Sequence, residues 1–252
     1  MVLKFYFNYF IYMDIDITLP QSWREMNQEK LKYFFSLLAM GFSQDQIKTY
    51  CVFRWGGLEV VQQLGSKQYM LKKNHREFIA SPLLISSCCD CLSFLDEMPH
   101  YPVNLRKLGK HEALPLDFSE VAFKKFIIID NMYQGYLATK REDLLDEMAK
   151  VLYKSPRVKM SPAQRMSIFY WWCSLKNYFS IQFKNFFSGS GSGEITGDKV
   201  KESMNAMIRA LTAGDITKEK EVLAMDTWRA LTELDAKARE YEELERKYPT
   251  KN

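Results

Sequence analysis

Apolar residues recur along this chain at spacings that mark out a series of helices. Leu31, Phe34, Phe35, Leu38 and Ala39 share one face of a 3.6-residue period, which predicts a helix from about Asn27 to a stop at Gly41. Ser43 and Gln46 have the spacing of a reciprocal N-terminal cap and open a second helix, Asp45 to about Trp55, which Gly56-Gly57 breaks. Upstream, Ile15 to Leu19 reads as a short extended segment ending at Pro20, and Ser22 with Glu25 predicts a helical turn. Tyr69-Met70-Leu71 and Glu77-Phe78-Ile79 flank the polar Lys72-Lys73-Asn74-His75, a pattern that predicts a small β-hairpin at about 67–80. Pro82 suits the first turn of a helix running to about Leu95. From Met98 to Leu116, Pro99, Pro102 and Pro115 predict an extended connector over the surface.

The second half is more apolar. Phe118 to Ala138 carries Val121, Phe123, Phe126, Ile127, Ile129, Met132, Tyr133, Tyr136 and Leu137, which cover much of the helix circumference and predict a central, buried helix. Arg141 to Leu152 is shorter and amphipathic. Ser161-Pro162-Ala163-Gln164 is a strong helix start, followed by Ile168, Phe169, Trp171, Trp172, Leu175, Tyr178, Phe179 and Phe183. The alternating Ser188-Gly189-Ser190-Gly191-Ser192-Gly193 predicts a flexible linker. Beyond it lie a helix at Val200 to Leu211, a turn at Gly214-Asp215-Ile216-Thr217, and one long helix from Lys218 to about Tyr248, ended by Pro249. The expected fold is mainly α: a multi-helix body over 14–187 with one small β-hairpin, a Ser/Gly linker at 188–193, and a C-terminal helical hairpin over 194–252.

Composition adds limits. The chain has 252 residues, 47% hydrophobic and 14% aromatic, enough to bury a sizeable core. A net charge of +4 does not call for a nucleic-acid partner. The five cysteines are odd in number and three cluster at Cys88, Cys89 and Cys91, which does not suit a secreted disulfide framework; with Cys51 and Cys173 they point to a reducing compartment. Residues 1–12 are apolar and aromatic, too short to span a bilayer as a helix and followed by Asp14 and Asp16 instead of a cleavage site. They read either as a start-site artefact, with Met13 as the native start, or as a β-like segment. No stretch reads as a membrane span.

The candidate chemistry is sparse. Neither a phosphate-binding loop, a G-x-G-x-x-G sequence nor a nucleophile elbow is present, and no cofactor or small-molecule substrate is expected. Cys88 and Cys91 have metal-ligand spacing, with His100 or His111 as further ligands, but no second pair exists and all three clustered thiols fall on a predicted apolar helix, where cysteine acts as a small hydrophobe. The pair of helices over 37–55 has a helix-turn-helix outline. Its second helix offers Gln44, Gln46, Lys48 and Arg54 among Ile47, Tyr50, Val52, Phe53 and Trp55, so a plain αα-hairpin is the stronger reading and a DNA-binding regulator the alternative. The tail helix is better defined: Leu231, Leu234, Ala238 and Tyr241 follow a 3-4-3 spacing beside Trp228, on an otherwise charged surface. Trp228, Leu231, Leu234 and Tyr241 are the candidate partner-binding residues.

Several segments carry a family resemblance. Leu19-Pro20-Gln21-Ser22-Trp23, Tyr136-Leu137-Ala138-Thr139, Leu152-Tyr153 and Phe169-Tyr170-Trp171-Trp172 belong to it. So do the run from Ile208 to Glu219 and Trp228-Arg229-Ala230-Leu231-Thr232-Glu233-Leu234. They resemble uncharacterised phage and prophage proteins of Bacteroides-type bacteria, found among tail and virion genes. The resemblance covers most of residues 17–249 and carries no catalytic signature. It implies a role in virion or tail assembly, as a chaperone-like or minor structural protein, and the missing catalytic motifs make that role a non-enzymatic one. It further implies other phage structural or assembly proteins as partners, and the bacterial host cytoplasm or the virion as the location.

Overall fold

The structure is a computed structural model that describes residues 2–3, 15–65, 68–155, 159–188 and 197–248. The fold is mainly helical with a few small antiparallel sheets. The chain divides into two compact units, residues 1–99 and 100–252. This differs from the division expected at 188–193, because the C-terminal helices are built into the second unit. Of that linker only Ser188 is described; residues 189–193 lie outside the described residues.

In the first unit, β1 (Val2–Leu3) pairs antiparallel with β2 (Ile17–Thr18). A 3-10 turn at Trp23–Glu25 follows. The Ser22 side chain makes no cap bond there; the Glu25 carboxylate accepts from the Gln21 amide instead. Helices α1 (Gln28–Ala39) and α2 (Gln44–Gly56) follow one another as expected, and both halves of the Ser43/Gln46 cap are present. Gly57 ends α2 in the left-handed region at φ 65°, which glycine adopts without steric cost. A three-stranded meander replaces the expected hairpin: β3 (Glu59–Leu64), β4 (Gln68–Lys73) and β5 (Arg76–Ala80), in the order β3-β4-β5. Asn74 and His75 turn β4 into β5, both at positive φ (47° and 66°), as a two-residue turn of matching twist requires.

Helix α3 (Pro82–Asp90) is shorter than expected, and the residues up to Leu95 turn into a 3-10 segment at Ser93–Asp96. The core of this unit centres on Trp23, whose ring meets Phe34 at 5.2 Å and Phe94 at 5.6 Å, both edge-on. Around it Phe35, Ile47, Cys51, Val52, Leu71 and Leu92 are buried.

In the second unit, the segment expected to cross the surface instead supplies core. Val103, Leu105, Leu108 and Leu114 are buried, with a minimal hairpin of β6 (Lys107–Leu108) and β7 (His111–Glu112) between them. Prolines dictate extended backbone, not exposure. Their backbone polar groups find partners: the Ser174 hydroxyl accepts from the Val103 amide at 3.1 Å, the Tyr153 hydroxyl donates to the Leu105 carbonyl, and the Leu114 amide donates to the Leu152 carbonyl at 2.8 Å.

Helices α4 (Phe123–Thr139), α5 (Asp143–Leu152) and α6 (Pro162–Gln182) form the middle of the unit. Residues 118–122 do not join α4, because Phe118 and Glu120 sit at positive φ. Trp171 and Trp172 are fully buried on α6; their indoles donate to the Leu116 carbonyl (3.0 Å) and the Asp130 carboxylate (3.1 Å).

A short α7 (Lys184–Ser188), then α8 (Gly197–Thr212), α9 (Glu219–Ala224) and α10 (Thr227–Lys247) complete the chain. The long helix expected from Lys218 is broken at Met225-Asp226. There the Phe123 amide donates to Met225 and the Thr227 amide to Val121, each at 2.8 Å, and Asp226 restarts the helix as a cap for the Arg229 amide.

Candidate interaction surfaces

The four residues singled out on the tail helix divide between two environments. Leu231 is fully buried and Leu234 nearly so. Trp228 packs its ring against Tyr178, Phe179 and Phe183 at 5.3–5.7 Å, and its indole donates to the Asp117 carbonyl at 2.8 Å. Leu231 and Leu234 therefore belong to the chain's own core and are corrected from candidate partner contacts to fold contacts, and Trp228, half-buried, makes these ring and indole contacts within the chain. Asp235 tightens the same attachment: its carboxylate accepts from the Asn185 and Phe186 amides and from the Asn185 side chain, at 2.7–3.0 Å, at the start of α7. A carboxylate there suits the unsatisfied amides and positive end of a helix.

Tyr241 lies beyond this attachment and is 64% exposed. Leu244 (57%) extends from it at a 3-residue step, and Tyr248 (77%), the capping residue just past Lys247, continues the exposed apolar stripe at the end of α10. Its flanks are charged: Glu240, Glu242, Glu243, Glu245, Arg246 and Lys247, with Arg246 and Glu242 paired at 3.7 Å. A hydrogen bond to Glu245 raises the Tyr241 hydroxyl above its ordinary pKa. Leu244 was not singled out from sequence, because the 3-4-3 seam through Ala238 passes beside it; its signal is the 3-residue step from Tyr241.

In the first unit the two basic residues of α2, Lys48 and Arg54, have contacts within the unit. Lys48 donates to Asp96 at 2.9 Å and lies 3.5 Å from Asp45, and the Asp96 bond raises its pKa. Arg54 sits over the Tyr33 ring at 6.0 Å. The thiols are similarly engaged. Cys88 is buried, and burial pushes its pKa up to about 11. Burial also raises Cys89, which contacts the Thr49 hydroxyl at 3.7 Å, while Cys91 donates to the Ser87 carbonyl at 3.5 Å. Raised thiol pKa values disfavour the thiolate that metal binding and nucleophilic attack require. Among the described residues no three His, Cys, Asp or Glu side chains are grouped to hold a metal ion.

A second surface in this unit is not among the expectations from sequence. A cleft of 460 Å³ is lined by Asp45, Thr49 and Phe53 of α2, Val60 of β3, Tyr69 of β4, and Ile85 and Cys89 of α3. Beside it runs β3, exposed along Glu59–Gln63 and hydrogen-bonded to β4 alone among the described strands. The available signal was Val60-Val61 between Gly57 and Gly65.

The second unit has a cleft of 620 Å³ whose wall holds Asp130 and Lys176, paired at 2.7 Å. Lys176 also lies 5.8 Å from the Tyr133 ring, and the Tyr133 hydroxyl meets the Cys173 sulfur at 3.2 Å. Burial raises both the Tyr133 hydroxyl and the Cys173 thiol, so both hold their protons. Among the described residues no helix is long and apolar enough to cross a membrane. Compared with protein-family models, curated proteins and solved structures, the chain finds no match.

Proposed function

We propose that this is a non-enzymatic phage or prophage protein that acts in virion assembly or structure by binding other phage proteins through the exposed end of α10, in the host cytoplasm or the virion. The observation that carries the reading is the Tyr241–Leu244–Tyr248 stripe. An apolar face on a charged helix, projecting past the residues that anchor it, is the form of a helix that docks into a partner's groove. Its anchor is rigid, since Trp228, Leu231 and Leu234 tie the first half of α10 to the unit's core. The stripe is thus held in place before a partner arrives, which lowers the ordering cost of binding. The biological setting is taken from the resemblance of the tail segments to phage virion-gene products.

The test is photo-crosslinking from position 244 in host cells carrying the phage genes, with mass-spectrometric identification of what is captured. Virion or tail proteins, lost when Tyr241 and Tyr248 are changed to Ser, support the reading. Capture only of metabolic or nucleic-acid-processing proteins, or of the same proteins by the double variant, refutes it.

A further inference from the structure

We infer that β3 and the cleft beside it form a second binding site, which takes an extended segment of another protein as an added β-strand. The inference goes beyond the α10 reading, since no residue of that stripe lies in this unit.

Three observations support it. First, β3 is an edge of six residues whose outer backbone groups have no strand partner among the described residues. Edge strands are ordinarily guarded by lysine, proline or inward charge. Here Glu59 is the only charge, at one end, and Val60 (56%) and Val61 (47%) are exposed. The single guard is a bulge between Val60 and Gln62.

Second, the edge adjoins a place for side chains. Val60 pairs with Leu71, and Leu71 with Phe78, so Val60 lies on the buried face of the sheet. A strand added outside β3 sends alternate residues to that same side. There the cleft, floored by Phe53, Tyr69 and Ile85, falls within the range of about 300–1,000 Å³ usual for ligand clefts. Main-chain bonds to an edge with pockets for alternate side chains are the two components of strand-addition recognition.

Third, the charge at the cleft selects the occupant. Asp45 lines it with a side chain 94% exposed, and its only ion pair among the described residues is the 3.5 Å contact to Lys48, which gives its shorter bond to Asp96. The fitting segment therefore carries apolar residues at alternate positions and one lysine or arginine within reach of Asp45.

The experiment uses the full chain and the fluorescein-labelled probe peptide Lys-Val-Thr-Val-Thr-Val, with anisotropy as readout and hydrogen exchange at the β3 amides as a second measurement. The probe is expected to bind and to protect amides of Glu59–Leu64. Val60→Lys, at an exposed position that tolerates it, weakens binding about tenfold or more, equal to about 1.4 kcal/mol. Asp45→Asn weakens it about fivefold, the scale of one exposed ion pair, and has no effect on a probe whose lysine is replaced by glutamine. A probe N-methylated at alternate residues does not bind.

Absence of binding up to millimolar protein overturns the inference, as does binding indifferent to Val60→Lys with that variant's circular dichroism unchanged. Light scattering decides the remaining occupant: a concentration-dependent dimer abolished by Val60→Lys assigns the edge to a second copy and also overturns it. None of these outcomes bears on crosslinking from position 244.

Discussion

The Trp228 indole donates to the main-chain carbonyl of Asp117 at 2.8 Å, across 111 positions of sequence. This one bond joins the start of α10 to the loop before α4. With the Thr227–Val121 pair beside it, where both the Thr227 amide and hydroxyl donate to one carbonyl, it makes the C-terminal helix part of the second unit.

Trp228→Ala should therefore destabilise the folded chain. It removes ring contacts with Tyr178, Phe179 and Phe183 and leaves a cavity among them, at a cost of about 3 kcal/mol, the low end for tryptophan because the ring is only partly buried. Trp228→Phe keeps much of the packing and loses the bond to Asp117, costing about 1 kcal/mol. Urea unfolding followed by circular dichroism checks both. Equal losses for the two variants would mean that the ring contacts contribute little.

Asp235→Ala should loosen α7 from α10. The carboxylate accepts three bonds there, and loss of a comparable cap costs about 1–2 kcal/mol. Amide exchange at Asn185 and Phe186 should accelerate in the variant, while exchange in α1 stays unchanged.

Lys176→Met should cost more than the double change Asp130→Asn with Lys176→Met. The single change strips Asp130 of its cation and leaves the Trp172 indole as its remaining side-chain donor. Both partners retain some exposure, which puts the single loss at about 1–2 kcal/mol, below that of a fully buried pair. Urea unfolding of the parent, the single and the double variant compares the two losses, and a double variant less stable than the single would refute the argument.

Alkaline pH should destabilise the first unit. Burial holds the Cys88 thiol at about 11, against an ordinary 9.0, so the folded state keeps a proton that the unfolded state releases. That stabilisation is complete below about pH 9 and is lost as pH rises to about 11. Burial moves Cys51 in the same direction. Urea midpoints should fall between pH 8.5 and 10.5, and by less in Cys51→Ala/Cys88→Ala than in the parent, when each is referred to its own midpoint at pH 7.5.

Legibility from sequence followed the range of the interactions. Ser43 with Gln46, and Ser161 with Pro162 and Gln164, announce α2 and α6 through contacts within one helical turn, and both caps are present in the structure. The strand β3 is not legible in the sequence because its residues alternate poorly: Val60 and Val61 are adjacent at a bulge, and the strand buries almost nothing. Of the candidate partner contacts, only Tyr241 is an exposed side chain; a seam on one helix does not tell whether its cover comes from the same chain or another.

Sequence alone determined that this is a mainly helical chain, where several of its helices begin and end, and that α10 has an apolar seam. Those properties rest on side-chain periodicity and on hydrogen bonds that close within four residues. Tertiary structure decided that Met225-Asp226 interrupts the last helix, that the segment from Val103 to Leu114 is core, and that Trp228, Leu231 and Leu234 face inward. Each depends on groups brought together from distant parts of the chain, such as Thr227 on Val121 and Trp228 on Asp117, and no local pattern encodes such a meeting.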